Sequence, residues 1–142
     1  MKIKKMREEA ILPAYQSADA AGFDFHAAIK KPVIIKPGKM EIISTGVAVE
    51  IPSGYELQVR PRSGLAFKFR VLPVNAVGTI DADYRGEIMV GLVNNGRENF
   101  VVEPDMRIAQ GIVAKVEKVE WQEVRELSDT TRGVGGFGST GK

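Results

Sequence analysis

Short β-branched segments, interrupted at even intervals by glycine and proline, limit what this chain can fold into more than any other feature. Val33–Lys36 is followed by Pro37-Gly38, the longer run Glu41–Ile51 by Pro52-Ser53-Gly54, and Tyr55–Arg60 by Pro61. Proline removes a ladder donor and glycine supplies turn conformations, so each junction ends a strand early. Within Thr45–Ile51, Val47, Val49 and Ile51 share one face at period two. The pattern predicts an all-β sandwich or barrel. Later turns fall at Asn94-Asn95-Gly96 and Pro104-Asp105, between strand patterns at Asn99–Val102, Arg107–Val113 and Val116–Val124. The last carries Trp121, the only tryptophan, assigned to packing against the core or a subunit neighbour. Ser63–Phe69 alone lacks strand character and reads as a short helix with Ser63 as its cap. Residues 1–12 alternate basic and apolar, as an edge strand whose lysines discourage edge-to-edge pairing does. There is no internal repeat and no boundary before residue 128, so residues 1–128 are expected to form one domain and residues 129–142 a separate tail.

Composition narrows the chemistry. A chain of 142 residues supports a single core. It has no cysteine and one histidine, His26, which excludes thiolate sites and a zinc site of the usual ligands. A metal, if used, should be a hard cation on oxygen, best magnesium carried by a phosphorylated ligand. A net charge of +2 and 7% aromatics give little support to a nucleic-acid-binding face. The charged start does not read as a secretory signal and no 18 apolar residues follow one another, so no membrane association and a cytoplasmic location are expected.

The rest of the chain is organised around Gly78–Glu87, Gly-Thr-Ile-Asp-Ala-Asp-Tyr-Arg-Gly-Glu. This stretch places Asp81 and Asp83, two positions apart, a tyrosine and an arginine between the apolar runs Val71–Val77 and Ile88–Val93, which is more chemistry than a hairpin turn needs. Further upstream, Gly22 would let the chain bend ahead of Phe23-Asp24-Phe25, where alternation turns Asp24 away from the two aromatics and toward solvent. His26 reads as an ordinary polar residue of the following loop. Pro61-Arg62-Ser63-Gly64-Leu65-Ala66 is either an anion site, from a guanidinium, a hydroxyl and free helix amides, or a capped helix beside a solvated arginine. Arg107 and Gln110 interrupt an apolar strand and need partners if buried. From Arg132 onward there are five glycines in eleven residues. That tail matches a dinucleotide fingerprint and most of a phosphate-binding loop, but both need a strand before and a helix after, and both literal readings fail. Its exposed amides, with Arg132, Ser139, Thr140 and the flat face of Phe137, suit a segment that folds over a phosphorylated ligand.

Taken in order, Ala21–Ala27, Pro61–Ala66, Asn75–Glu87, Arg107–Gln110 and Arg132–Gly141 closely resemble the five motifs of the trimeric deoxyuridine triphosphatases. The resemblance implies a distorted jelly-roll β-barrel, the dUTPase-like β-clip. It also implies a homotrimer with sites at subunit contacts, the mobile tail of one subunit closing the site of a neighbour. The implied reaction is magnesium-dependent hydrolysis of dUTP to dUMP and pyrophosphate, which keeps uracil out of DNA and supplies dUMP for thymidylate synthesis. By the same resemblance, Asp81 is the general base. Tyr84 packs on the deoxyribose, and Asn75, Gly78, Thr79 and Ile80, with Met89 behind, hold uracil. Arg62, Ser63, Gly64 and Gln110 contact phosphates, and Arg132 reaches the far ones. Phe137 stacks on the base, and Gly138, Ser139 and Thr140 complete the lid. Asp24 meets magnesium only through water; Asp83 and Arg85 serve the subunit contact. Phe23, Phe25 and Arg70 stand where Tyr, Leu and Gly are frequent in the family. The alternatives are a related dCTP deaminase and the same fold used as a nucleotide-gated regulatory interaction protein.

Overall fold

Gly46 divides what the sequence presents as one run. Its φ of +68° lies in the left-handed region, and a Cβ there would meet the Cβ atoms of Ala10 and Ala28 at 2.7 and 2.8 Å, so only glycine closes this turn. Residues 41–51 therefore supply two strands that join different sheets.

The computed structural model describes residues 1–136. In chain order its strands are β1 (Lys2–Lys5), β2 (Ala14–Tyr15), β3 (Phe23–His26), β4 (Val33–Ile35), β5 (Met40–Ser44), β6 (Val47–Glu50) and β7 (Tyr55–Arg60). One helix, α1 (Ser63–Phe69), precedes β8 (Val71–Pro73), β9 (Gly78–Ile80), β10 (Met89–Asn94), β11 (Phe100–Val102) and β12 (Arg107–Lys115). All paired strands are antiparallel. The largest sheet runs β2-β3-β12-β7-β9, the next β5-β10-β8, and the pairs β1-β6 and β4-β11 complete the set.

The sheets turn their apolar faces onto one cluster in which Phe25, Ile35, Ile43, Leu57, Ile88, Leu92 and Ile108 are fully buried. The amide of Asn94 is buried with them and satisfied: Nδ2 donates to the carbonyls of Ile35 and Glu98, each at 2.8 Å, and Oδ1 accepts from the Gly96 amide. The predicted Asn-Asn-Gly turn is thus built on a core hydrogen-bonding residue.

Several expectations are corrected. Ser63 is the first helical residue and caps nothing; Arg62 occupies the cap position with extended backbone and no side-chain cap bond. The helix ends on Arg70 in the left-handed region (φ 58°), a position where glycine avoids a cost of about 1 kcal/mol. The connection Pro13–Ala21 contains the short strand β2, which extends the large sheet beyond β3. Val116–Val124 does not continue as a strand, because β12 ends at Lys115 and residues 116–136 carry no regular structure. Trp121 is 93% exposed, so it does not pack on this chain's core.

Candidate active site

Asp24 is buried, not solvent-facing. Phe23 and Phe25 pack edge to face at 5.5 Å, as alternation predicts, but the opposite face of β3 is also covered, by side chains from two distant elements. Arg62, leaving β7 for α1, donates its Nε to Asp24 Oδ1 at 2.9 Å. Arg107, at the start of β12, donates Nη1 to Oδ2 at 3.1 Å. A further bond from Arg62 Nη1 to the Arg107 carbonyl, 3.2 Å, ties the two arginines to each other. Two charge-assisted bonds offset the desolvation of the one carboxylate, and the group keeps a net positive charge. Gln110, paired with Asp24 on one side and Arg60 on the other, donates Nε2 to the Pro61 carbonyl at 2.8 Å. A Cβ on Gly22 would lie 2.6 Å from Gln110 Oε1, so Gly22 serves close approach as well as the bend.

His26 closes β3 rather than opening a loop, with Nδ1 buried and no hydrogen-bond partner. Burial pulls its pKa down, Asp24 pushes it up, and Arg107 pulls it down again; the net direction is below the ordinary histidine value. At the helix start, the amides of Leu65 and Ala66 bond the Arg62 carbonyl, which leaves those of Ser63 and Gly64 as its open donors.

The Asp81 stretch is organised differently. β9 pairs with β7, Ile80 opposite Leu57, and Asp81 leaves the sheet into an exposed loop. Its side chain makes no ion pair or hydrogen bond among the described residues, and it lines a cavity of about 610 Å³ with Thr79, Tyr55 and Asp83. The loop is tied mostly to itself. The Tyr84 amide bonds the Asp81 carbonyl at 3.1 Å, and Arg85 Nη1 bonds the carbonyls of Ala82 and Tyr84 at 2.7 and 2.9 Å. The Tyr84 hydroxyl donates to the Glu87 carbonyl at 3.0 Å. Tyr84 lies so close over Gly86 that a Cβ there would come within 2.3 Å of its hydroxyl. Asn75 likewise sits against Gly78, where a Cβ would fall 2.9 Å from Nδ2.

A family model described as dUTPase matches residues 8–141 of this sequence. The chain belongs to the dUTPase family. The deoxyuridine 5'-triphosphate nucleotidohydrolase of Nautilia profundicola is 57% identical over 142 residues, covering 100% of this chain and 99% of the relative. That of Chlamydia trachomatis serovar L2 is 53% identical over 139 residues, 97% and 96% of the two chains. Among solved structures, the dUTPase of Staphylococcus bacteriophage 80alpha, with dUPNHPP, matches with a TM-score of 0.91 at 27% identity, covering 99% of this chain and 98% of that one. The all-β, jelly-roll expectation agrees with these neighbours.

As a dUTPase-family chain, this molecule separates the residues that its motifs single out into two groups. Asp24, Arg62, Ser63, Gly64, Arg107 and Gln110 gather where β3, β12 and the exit of β7 meet. Gly78, Thr79 and Ile80 pair along the middle of β7 with Val59, Gln58 and Leu57, and antiparallel pairing carries Asp81 and Tyr84 on toward the other end of β7. From Leu57 to Arg62 the chain advances five residues, roughly 17 Å at strand rise. Arg132 is exposed and donates Nε to the Gly135 carbonyl at 2.8 Å, touching neither group among the described residues. Phe137, Gly138, Ser139 and Thr140 lie outside the described residues. Two participants lacked a role in the sequence reading. Arg107 was signalled by a charge in an apolar strand and by its place in the Arg107–Gln110 motif, without a role of its own. Glu87 gave no local signal, yet its carboxylate is 16% exposed and accepts from Ser44, Gly46 and Arg7.

Proposed function

We propose that this chain hydrolyses dUTP to dUMP and pyrophosphate in sites shared between copies of itself, a homotrimer being the assembly implied by its family. The observation that carries the shared site is the separation along β7. One end presents Arg62 and Arg107 clamped on Asp24 beside the open amides of Ser63 and Gly64, and the other presents Asp81, without a side-chain partner among the described residues, in a cavity it shares with Arg85 and Lys118. Each end is half of a phosphoryl-transfer site, and a neighbour supplies the other half.

In this reading Asp81 orients water and takes its proton as the water oxygen bonds the α-phosphorus and the bridge to pyrophosphate breaks. Arg62, the Ser63 and Gly64 amides and Gln110 hold the phosphates. Tyr84, locked by its hydroxyl bond to Glu87, offers the deoxyribose a fixed flat face that leaves no room for a 2′-hydroxyl. Asn75, Gly78, Thr79, Ile80 and Met89 form the uracil side. Residues 129–142 act as the lid, with Arg132, Phe137, Gly138, Ser139 and Thr140 on the substrate.

No set of three His, Cys, Asp or Glu side chains among the described residues could hold a metal, and both Asp24 oxygens already accept from arginine. A directly bound ion does not fit; a magnesium carried by the triphosphate, reached by Asp24 through water, does. When bound, it neutralises charge on the phosphates.

The test is pyrophosphate release from dUTP, dCTP, dTTP and UTP with magnesium. Turnover of dUTP alone is expected, whereas ammonia from dCTP would replace this reading with a deaminase. Sharing is tested by mixing two inactive variants, Asp81→Asn and Arg62→Ala, under conditions of subunit exchange. Random pairing should restore about a quarter of native activity if the groups come from different chains; no recovery would place both in one chain. Removing residues 132–142 should nearly abolish turnover while the oligomer persists.

A further inference from the structure

We infer that Glu87 is a positioning residue for Asp81, holding the exposed loop in register through a chain of bonds from the body of the molecule to that carboxylate. The inference rests on the reading of Asp81 as the base. In the loop between Ile80 and Glu87, Ala82 is partly buried against the core, whereas Asp81, Asp83, Tyr84 and Arg85 are all exposed. Its placement is therefore set by that one contact and by its two ends. At one, Ile80 pairs with β7. At the other, Ile88 is fully buried. Its amide donates to the Val47 carbonyl at 2.9 Å, and its carbonyl accepts from Thr45 Oγ1 at 2.6 Å.

Glu87 occupies the step between that anchor and the loop, and it acts with both its side chain and its backbone. Its Oε1 accepts the Gly46 amide at 2.8 Å and the Ser44 hydroxyl. Arg7 adds its Nε to both oxygens at 3.3 Å and its Nη2 to Oε2 at 3.2 Å. The same knot is closed by the Met6 amide on the Gly46 carbonyl, 2.7 Å. With its side chain fixed, the Glu87 carbonyl is fixed too, and that carbonyl receives the Tyr84 hydroxyl. Tyr84 in turn bonds the Asp81 carbonyl through its amide. The path from Gly46 to Asp81 is thus continuous in named bonds.

The site calls for a carboxylate. Donors from three directions converge on two oxygens, which only an acceptor with about four lone-pair sites and no hydrogen can meet. Glutamine would keep the shape but turn an N–H2 toward one of these donors. Burial pushes the Glu87 carboxyl up, and the bonds from Ser44, Arg7 and Gly46 outweigh it to hold it below the ordinary glutamate value.

The experiment measures kcat and KM for dUTP separately in the full-length Glu87→Ala and Glu87→Gln variants, together with equilibrium binding of dUpNHpp and a thermal melt. A misplaced base lowers kcat, so Glu87→Ala should lose about 10- to 100-fold in kcat. KM and dUpNHpp binding should stay within about threefold, and Glu87→Gln should recover part of the loss. Unchanged kcat in a folded Glu87→Ala protein, whatever its melting temperature, overturns the inference, as does a loss carried by KM alone. If Glu87→Ala does not fold, Ser44→Ala and Arg7→Ala each remove one partner and should lower kcat by about 2- to 5-fold; no change in either overturns it equally. Absence of dUTP turnover in the native chain would instead refute the function on which this rests.

Discussion

Asp24 and Asp81 are the same chemical group placed in opposite circumstances. Asp24 is 8% exposed and both its oxygens are engaged by guanidinium groups; Asp81 stands exposed at the end of a loop with no side-chain partner among the described residues. A carboxylate held by two cations is an organiser: it fixes where Arg62 and Arg107 point and limits how much positive charge they present. An unpartnered carboxylate organises nothing, but it is free to hold a water and take its proton. On the proposed reading, the molecule assigns electrostatic structure to one end of β7 and chemistry to the other.

If that division is right, the two substitutions should separate activity from stability. On that reading Asp81→Asn removes the proton acceptor without disturbing a side-chain hydrogen bond among the described residues, so kcat for dUTP should fall by about 10²- to 10⁴-fold while the urea midpoint stays where it was. A comparable loss of stability would break the comparison, because it would give Asp81 a structural role that its surroundings do not provide. Asp24→Ala should do the reverse in kind. It leaves two arginines side by side without their shared anion, a loss of about 2–3 kcal/mol given that both guanidiniums are partly exposed. With the cationic group splayed, KM for dUTP should rise. Equilibrium unfolding together with steady-state kinetics on both variants reads all four quantities, and equal stability of the Asp24→Ala and native chains would remove Asp24 as an organiser.

The same contrast explains what could be seen in the sequence. Strands with glycine and proline at their junctions, the single helix Ser63–Phe69 and the Asn94–Gly96 turn depend on local preferences, and they were legible. Asp24 was misread because alternation with Phe23 and Phe25 says only that it faces the other side of β3. What covers that side comes from residues 38 and 83 positions away. Gly46 breaks the run 41–51 because Ala10 and Ala28 crowd it, which no window around Gly46 contains. Val116–Val124 has the composition of a strand, but strand formation needs an edge to pair with, and none in the described residues takes it. Asp81 stood out because a loop with that much polar chemistry exceeds what a turn requires, and the family motifs then gave it a role. The anchoring of its loop by Glu87 has no local signature, since Ser44, Gly46 and Arg7 are distant in the chain.

The smallest expected effect concerns pH, and it separates the two ends by where each fails. His26 borders Asp24 and is held below the ordinary histidine value, first by burial and then by Arg107, against the opposing pull of Asp24 and Asp105. The unfolded chain therefore takes up this proton before the folded one. Stability from His26 is complete above the unfolded value of 6.5 and declines as pH falls from there toward the folded value. Glu87 is lowered relative to 4.5, so its contribution persists to more acid conditions and is lost only as pH falls through its folded value. Urea midpoints from pH 8 to pH 3 should accordingly decline in two stages, the first belonging to the Asp24 end and the second to the anchor of the Asp81 loop together with Glu9 and Glu50, which are also held below the ordinary glutamate value. His26→Gln should flatten the first stage and leave the second, and Glu87→Gln should shrink the second and leave the first. A single decline confined to the carboxylate range in both the native chain and His26→Gln would show that the imidazole is as free to protonate as in the unfolded state. The Asp24 group would then be open to solvent on the face of β3 that Arg62 and Arg107 cover.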